Sequence, residues 1–265
     1  MRRPEFNPAW SSETRRVYEH DIQEFWDCSL APHIWNQYQN QLQTYLALVT
    51  RRRKLDILDL GCAQATLALL LAEQGHRVTA VDIRPEFLHY ARSRYMHGNI
   101  HFVCGDALKL SLESKFDLIF ANQFLEHTVF PELLLERVWD WLKPGGQLAA
   151  STPNRAYVLN RLPSFSELGD PKRFESKQFF ADGDEHFFAY SASELAKTLL
   201  VAGFDCAKVH YFETPWISGH MKLRHLHRFC SFKVLRVLDR LTLGIPVFKE
   251  RVSHQLLVTG CRPEG

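Results

Sequence analysis

Between Leu55 and Ser151, short apolar runs rich in β-branched residues alternate with longer amphipathic stretches, the pattern of a parallel sheet covered by helices. Strands are expected at Leu55–Leu60, Arg77–Asp82, Ile100–Cys104, Phe116–Ala121 and Gln147–Ser151, and two later ones at Phe204–Tyr211 and Gln255–Cys261. Helices are expected at Thr66–Glu73 and at Pro85–Tyr95, where Pro85 falls in the first turn and its missing N–H costs nothing. A third is expected at Leu133–Leu142, stopped by Lys143-Pro144-Gly145-Gly146. Residues 1–50 carry Ile34, Tyr38, Leu42, Tyr45 and Leu46 at helical spacing, which predicts a helical extension packed on the sheet or over its ligand edge. Residues 51–265 then form one α/β domain with insertions at about 153–190 and 213–253.

Composition adds limits. A chain of 265 residues with 46% hydrophobic and 23% charged residues can bury one sizeable core. A net charge of +2 is too mild to imply nucleic acid as a partner, so any basic surface must be local. Six cysteines, Cys28, Cys62, Cys104, Cys206, Cys230 and Cys261, form no CxxC pair and are expected to be reduced and mostly packed as small hydrophobes. No apolar segment follows Met1-Arg2-Arg3-Pro4-Glu5, which argues against a secretory signal, and no run approaches the roughly 18 apolar residues of a membrane span. A cytoplasmic protein is expected, peripheral at a membrane surface at most.

In an open α/β sheet, ligands bind beyond the carboxyl ends of the strands. The first strand runs into Leu58-Asp59-Leu60-Gly61-Cys62-Ala63-Gln64-Ala65, where a glycine permits a tight turn and the following helix N-terminus offers free N–H groups to a carboxylate. The second strand ends in Asp82, about twenty residues on, where an acidic side chain can accept both hydroxyls of a ribose. These features also suit a dinucleotide enzyme, but the GxGxxG register is absent, which disfavours NAD.

Several ordered motifs resemble those of class I S-adenosylmethionine (SAM)-dependent methyltransferases. Asp59-Leu60-Gly61-Cys62-Ala63 is similar to their glycine-rich SAM loop, and Gly105-Asp106-Ala107 to their adenine motif. Leu125-Glu126-His127, Leu142-Lys143-Pro144-Gly145-Gly146 and Ser151-Thr152-Pro153-Asn154 resemble the branch containing ubiquinone-biosynthesis O-methyltransferases. The resemblance covers about Leu55 to Val209. It implies a Rossmann-like three-layer sandwich with a seven-stranded, mostly parallel sheet whose last strand is antiparallel. It also implies SAM as cofactor, with Gly61 and Ala63 against the methionine part, Asp82 on the ribose, Asp106 on the adenine amino group and Asn122 facing the cofactor. Asp59, Cys62, Ile83 and Ala107 complete the expected cofactor set. The chain departs from the family where Ala63 and Ala65 replace loop glycines, each adding a Cβ where backbone approaches ligand.

Methyl transfer to a hydroxyl needs a held acceptor and a base for its proton. Glu126 and His127, after the fourth strand, and His186, in the insertion, are the candidate catalytic groups. They also supply ligand types that suit a divalent metal. Some relatives, including small-RNA 2′-O-methyltransferases, resemble this layout with two Glu and two His ligands, but Gln123 stands here in place of the first Glu. A metal is therefore not expected. In the first insertion Phe165, Phe174, Phe179, Phe180, Phe187, Phe188 and Tyr190 interleave with Lys172, Arg173 and Lys177, suiting either an aromatic lid or an accessory core.

From Met221 to Leu241, Leu223, Leu226, Cys230, Val234, Val237, Leu238 and Leu241 fall at helical spacing among basic residues. This predicts a basic amphipathic helix 221–241 that packs on its own domain, lies on an anionic membrane or contacts RNA phosphates. The leading expectation is a SAM-dependent O-methyltransferase for a small-molecule or lipid- or glycan-linked acceptor. A metal-assisted RNA 2′-O-methyltransferase, disfavoured by Gln123, and a degenerate SAM-binding domain serving as a membrane or protein partner are the alternatives.

Overall fold

A computed structural model describes residues 1–49, 53–177 and 186–264. Seven strands form one sheet: β1 (Asp56–Leu60), β2 (Arg77–Asp82), β3 (Asn99–Cys104), β4 (Phe116–Asn122), β5 (Leu142–Pro153), β6 (Asp205–Phe212) and β7 (Gln255–Cys261). Their order is β3-β2-β1-β4-β5-β7-β6, and β7 alone runs antiparallel to its neighbours β5 and β6. All seven expected strands are present, with ends moved by a few residues. The largest change is β5, which begins at Leu142 because Lys143-Pro144-Gly145-Gly146 is accommodated by a register shift opposite Phe116 and Leu118.

The helices are α1 (Ser12–Asp21), α2 (Pro32–Ala47), α3 (Thr66–Glu73), α4 (Pro85–Arg94), α5 (Pro131–Trp141), α6 (Ala192–Val201), α7 (Pro215–Ser218), α8 (Phe232–Leu243) and α9 (Pro246–Val252). Two apolar clusters cover the two sheet faces. Leu42 and Tyr45 of α2 join Ile57, Leu118 and Phe120 on one, and Leu134, Leu135 and Val138 of α5 join Leu58, Ile119 and Leu148 on the other. The N-terminal extension is thus helical and packed on the sheet.

The extension is fixed by one buried ion pair. Arg94, fully buried at the end of α4, lies 3.1 Å from the Asp21 carboxylate and donates to the Gln64 carbonyl and Thr66 Oγ1, each at 2.9 Å. Tyr90 and Trp26 donate to the second Asp21 oxygen. Burial pushes the Asp21 carboxyl up, a tendency opposed by the adjacent Arg94 charge.

Two expectations change, and one left open between two forms is resolved. Among the cysteines, all unpaired, only Cys62 is buried, while Cys28, Cys104 and Cys206 are exposed. The basic segment is not one helix: a 3-10 turn at Leu223–Arg228 breaks before α8, which restarts at its own cap Ser231. Its apolar stripe does not all pack inward, since Leu235 is buried while Val234, Val237 and Leu241 face solvent. In the first insertion the described aromatics form an accessory core rather than an open lid. Phe188 and Tyr190 are fully buried against Phe165, with ring centroids 4.9 and 5.3 Å from it. Phe179 and Phe180 lie outside the described residues, as does the side chain of Lys177.

Candidate active site

The carboxyl ends of β1, β2 and β4 meet where the strand order turns, and the loops leaving them carry the expected residues. After β1, Gly61 takes φ +65°, and a Cβ there would lie 2.5 Å from the Phe124 ring. Both the backbone turn and the close approach require glycine. Ala63 and Ala65 adopt φ of +46° and +58°, so they keep the left-handed conformation of the glycines they replace, at about 1 kcal/mol each. Cys62 N–H donates to the Val81 carbonyl at 3.0 Å and Ala65 N–H to the Cys62 carbonyl at 2.7 Å, which fixes the loop. The cap residue Ala65 has no side chain with which to occupy the first N–H groups of α3.

Asp82 is buried at the end of β2. Ala63 N–H donates to its Oδ2 and Arg84 N–H to its Oδ1, both at 2.9 Å. Burial pushes its carboxyl pKa up and the two N–H donors oppose this. Each oxygen keeps a further acceptor site for a ribose hydroxyl. Asp59 lies beneath the loop, its carboxyl pushed to about 7 by burial and the Asp82 charge and hydrogen-bonded by Ala68 N–H at the start of α3. Asp106 uses Oδ1 to accept Leu108 N–H at 2.9 Å, while its buried Oδ2 makes no hydrogen bond and pairs only with Lys109, at 3.3 Å. Asn122 Oδ1 is also buried without a partner. Ile83 is 48% exposed beside Asp82, whereas the Ala107 side chain joins the core, leaving its backbone to meet a ligand. A buried Cys62 thiol is pushed well up by burial and is no nucleophile.

Beyond β4 the chain makes a 3-10 turn at Leu125–His127. Glu126 is fully buried, with both carboxylate oxygens unpartnered, and burial raises it to about 8. His127 and His186 lie edge to face with ring centroids 4.6 Å apart. One potential ligand atom from each of Glu126, His127 and His186 lies within 4.8 Å of the others. Phe187 N–H donates to the Glu126 carbonyl at 2.9 Å, so the insertion is pinned to this turn. All three sequence candidates are therefore brought together. Gln123, at φ +47°, turns its amide nitrogen to Gln255 Oε1 at 2.6 Å and Ser151 Oγ at 3.1 Å, away from a ligand role through that atom.

The structure adds residues that the motifs did not reveal. Gln64 Nε2 donates to Glu24 of the extension at 2.7 Å, and burial with the nearby Asp21 charge lifts Glu24 to about 7. Ser151 Oγ bonds Tyr45 at 2.8 Å. Further along the edge, Tyr157 bonds His220 at 2.9 Å, and His220 packs on His254, whose Nδ1 lies 3.8 Å from the buried Glu213 carboxylate. No local pattern marks these groups, because each partner is remote in sequence.

Residues 58–150 match the family described as a methyltransferase domain. Malonyl-[acyl-carrier protein] O-methyltransferase of Acetivibrio thermocellus is 37% identical over 43% of this chain and 40% of its own length. Ubiquinone biosynthesis O-methyltransferase of Xylella fastidiosa is 35% identical over 37% of this chain and 42% of its own. The chain thus spans about two fifths of these relatives. In overall fold it resembles magnesium protoporphyrin IX methyltransferase of Synechocystis, solved with bound S-adenosylhomocysteine (TM-score 0.60, 14% identity, 95% of each chain). Residues 58–150, which include the loop at Gly61 and the carboxylate at Asp82, are thus similar to a methyltransferase domain, and the chain as a whole shares the fold of the solved methyltransferase. Within the matched segment the similarity extends to ubiquinone-biosynthesis O-methyltransferases.

Proposed function

We propose that the chain transfers a methyl group from SAM to a hydroxyl of a small-molecule or lipid- or glycan-linked acceptor. The observation that carries this reading is the clustering of Glu126, His127 and His186 at the sheet edge that also carries the expected cofactor residues. Asp106 and Asn122 keep a buried oxygen with acceptor capacity, Asp82 keeps lone pairs beyond its two N–H donors, and Glu126, His127 and His186 gather within 4.8 Å of one another. When bound, SAM supplies an electrophilic methyl on a sulfonium. Asp82 holds the ribose, Asp106 the adenine amino group and the free N–H groups of α3 the methionine carboxylate. Glu126, at about 8, carries its own proton at neutral pH, so an imidazole of His127 or His186 takes the acceptor proton. The role of the remaining barrier reduction falls to orientation of the acceptor in a dry site.

The same three side chains have the donor chemistry for a divalent cation, which when bound would polarise the acceptor oxygen. Among the described residues these three form the group with metal-ligand spacing, and the RNA-directed alternative gains no separate support.

Calorimetric titration tests the proposal. SAM should bind with micromolar affinity and NAD not at all, and Asp82→Ala should weaken SAM roughly 100-fold by removing two charged hydrogen bonds. With acceptors in hand, His127→Ala should cut turnover at least about 100-fold while leaving SAM affinity unchanged. An intact protein that binds no SAM overturns the enzymatic reading in favour of a partner role.

A further inference from the structure

Eight of the eighteen large apolar side chains exposed among the described residues lie between Met221 and Phe248. On α8, Leu235 and Asp239 face the domain while Val234, Val237 and Leu241 face solvent. The neighbouring α9 buries none of its residues, and Val247 and Phe248 are 82% and 56% exposed. Phe229, ahead of α8, is 85% exposed. Singly exposed apolar residues are ordinary, but this many on two successive, mutually packed helices mark a candidate binding surface.

The exposed charges around that group are basic except for Glu250. Lys222, Arg224, Arg228, Lys233, Arg240 and Arg251 are exposed, and none forms an ion pair with a described residue. Between positions 221 and 252 the acidic residues are Glu250, exposed, and Asp239, which is buried and accepts Thr214 N–H and Oγ1, each at 2.8 Å. We propose that α8 and α9 dock peripherally on an anionic lipid bilayer, with the apolar side chains entering the headgroup boundary and the basic ones meeting lipid phosphates. A second copy of this chain fits poorly, because a two-fold interface would set this basic surface against itself. RNA fits poorly as well, because phosphate recognition gives no role to Val247 and Phe248 at the centre of the surface. Contact is peripheral, since among the described residues no helix is long and apolar enough to cross a membrane.

The position of the surface gives it a use. The segment leaves the carboxyl end of β6 and returns at the start of β7, so it hangs from the sheet edge that carries Gly61 and Asn122. Asn154, just after β5, donates its side-chain amide to the Glu250 and Ser253 carbonyls at 2.7 and 2.8 Å, and Val158 N–H donates to the Arg251 carbonyl at 2.9 Å. Val158 and Leu159, both exposed, extend the apolar group towards the site. A bilayer seated here lies beside the acceptor side of the cleft, as a lipid-borne acceptor requires.

The test is co-sedimentation of the full chain with phosphatidylcholine vesicles, with and without about 30% phosphatidylglycerol. Anionic vesicles should bind at least roughly tenfold more protein than neutral ones, and added salt should reduce that binding several-fold. The double variant Val247→Asp/Phe248→Asp should lose at least about tenfold in vesicle binding while its melting temperature and SAM affinity stay unchanged. Absent binding, equal binding to neutral vesicles or wild-type binding by the variant overturns the proposal. So does a concentration-dependent dimer that the variant disrupts without lipid, which would assign the surface to a second copy. Vesicle binding by a protein that fails to bind SAM would sustain this proposal while removing the enzymatic one.

Discussion

The edge above β1 and β2 and the edge above β5 and β7 are built by different means. On the first, side chains are held by backbone: Ala63 and Arg84 N–H hold Asp82, and Ala68 N–H holds Asp59. On the second, side chains hold one another across long stretches of chain, as in Tyr45–Ser151–Gln123–Gln255 and Tyr157–His220. Backbone geometry follows from a few adjacent residues, so the first edge can be conserved as a short motif. The second depends on pairs that only the completed fold brings together, and is free to differ where acceptors differ.

The contrast can be broken hardest at Arg94, a fully buried side chain that joins the N-terminal extension to the cofactor loop. Arg94→Ala leaves Asp21 buried without its cation and should cost about 3–5 kcal/mol in chemical denaturation. It should also weaken SAM, because the Gln64 carbonyl loses its donor. An effect on stability alone would mean that the loop stands without the extension.

Next comes Ser151→Ala, which removes the hydroxyl shared by Tyr45 and Gln123. A cost of about 1–3 kcal/mol is expected, with SAM affinity within about twofold of wild type. Comparable losses in stability and SAM affinity would show the two edges to be one network.

Ala65→Gly sharpens the comparison from the other side. Relief of the left-handed backbone at φ +58°, less the entropy that glycine adds to the unfolded chain, should stabilise by up to about 1 kcal/mol. Unchanged or lower stability would mean that the buried Ala65 methyl packs well enough to offset its backbone cost.

The smallest effect is expected away from both ligand edges, at the opposite end of β1. There Arg77 and Lys143 hold the Asp56 carboxyl down to about 2. A carboxyl depressed in the folded state stabilises above its unfolded value near 3.9 and loses that contribution as pH falls through about 2. Asp56→Asn should therefore cost about 0.2–1 kcal/mol at pH 7 and almost nothing near pH 2, read from denaturation at both pH values.

The same division explains what could be read from sequence. The strands, the turn at Gly61 and the carboxylate at Asp82 were legible because each follows from local periodicity and spacing, whereas Asp106 was marked only by the resemblance of its motif. Arg94 looked like an ordinary basic residue in the last turn of α4, and only the packing of α1 on α4 reveals that it is fully buried. The stripe at Val234, Val237 and Leu241 has the spacing of a buried face, yet the break before α8 resets the helix so that Leu235 and Asp239 turn inward instead. Periodicity gives the existence of a face and not its direction. The aromatic insertion was ambiguous for a related reason, since a core and a lid use the same residue types.

The contact between Gly61 and Phe124 carries a consequence for sequence divergence. The ring fills the space that a side chain at position 61 would need, so the two positions are not independent under mutation. Descendants that enlarge position 61 must first or simultaneously shrink position 124, and lineages with glycine retained can drift at 124 without penalty from that contact. Pairwise covariation between these two sites, 63 residues apart in the chain, is thus written into the shape of one ring.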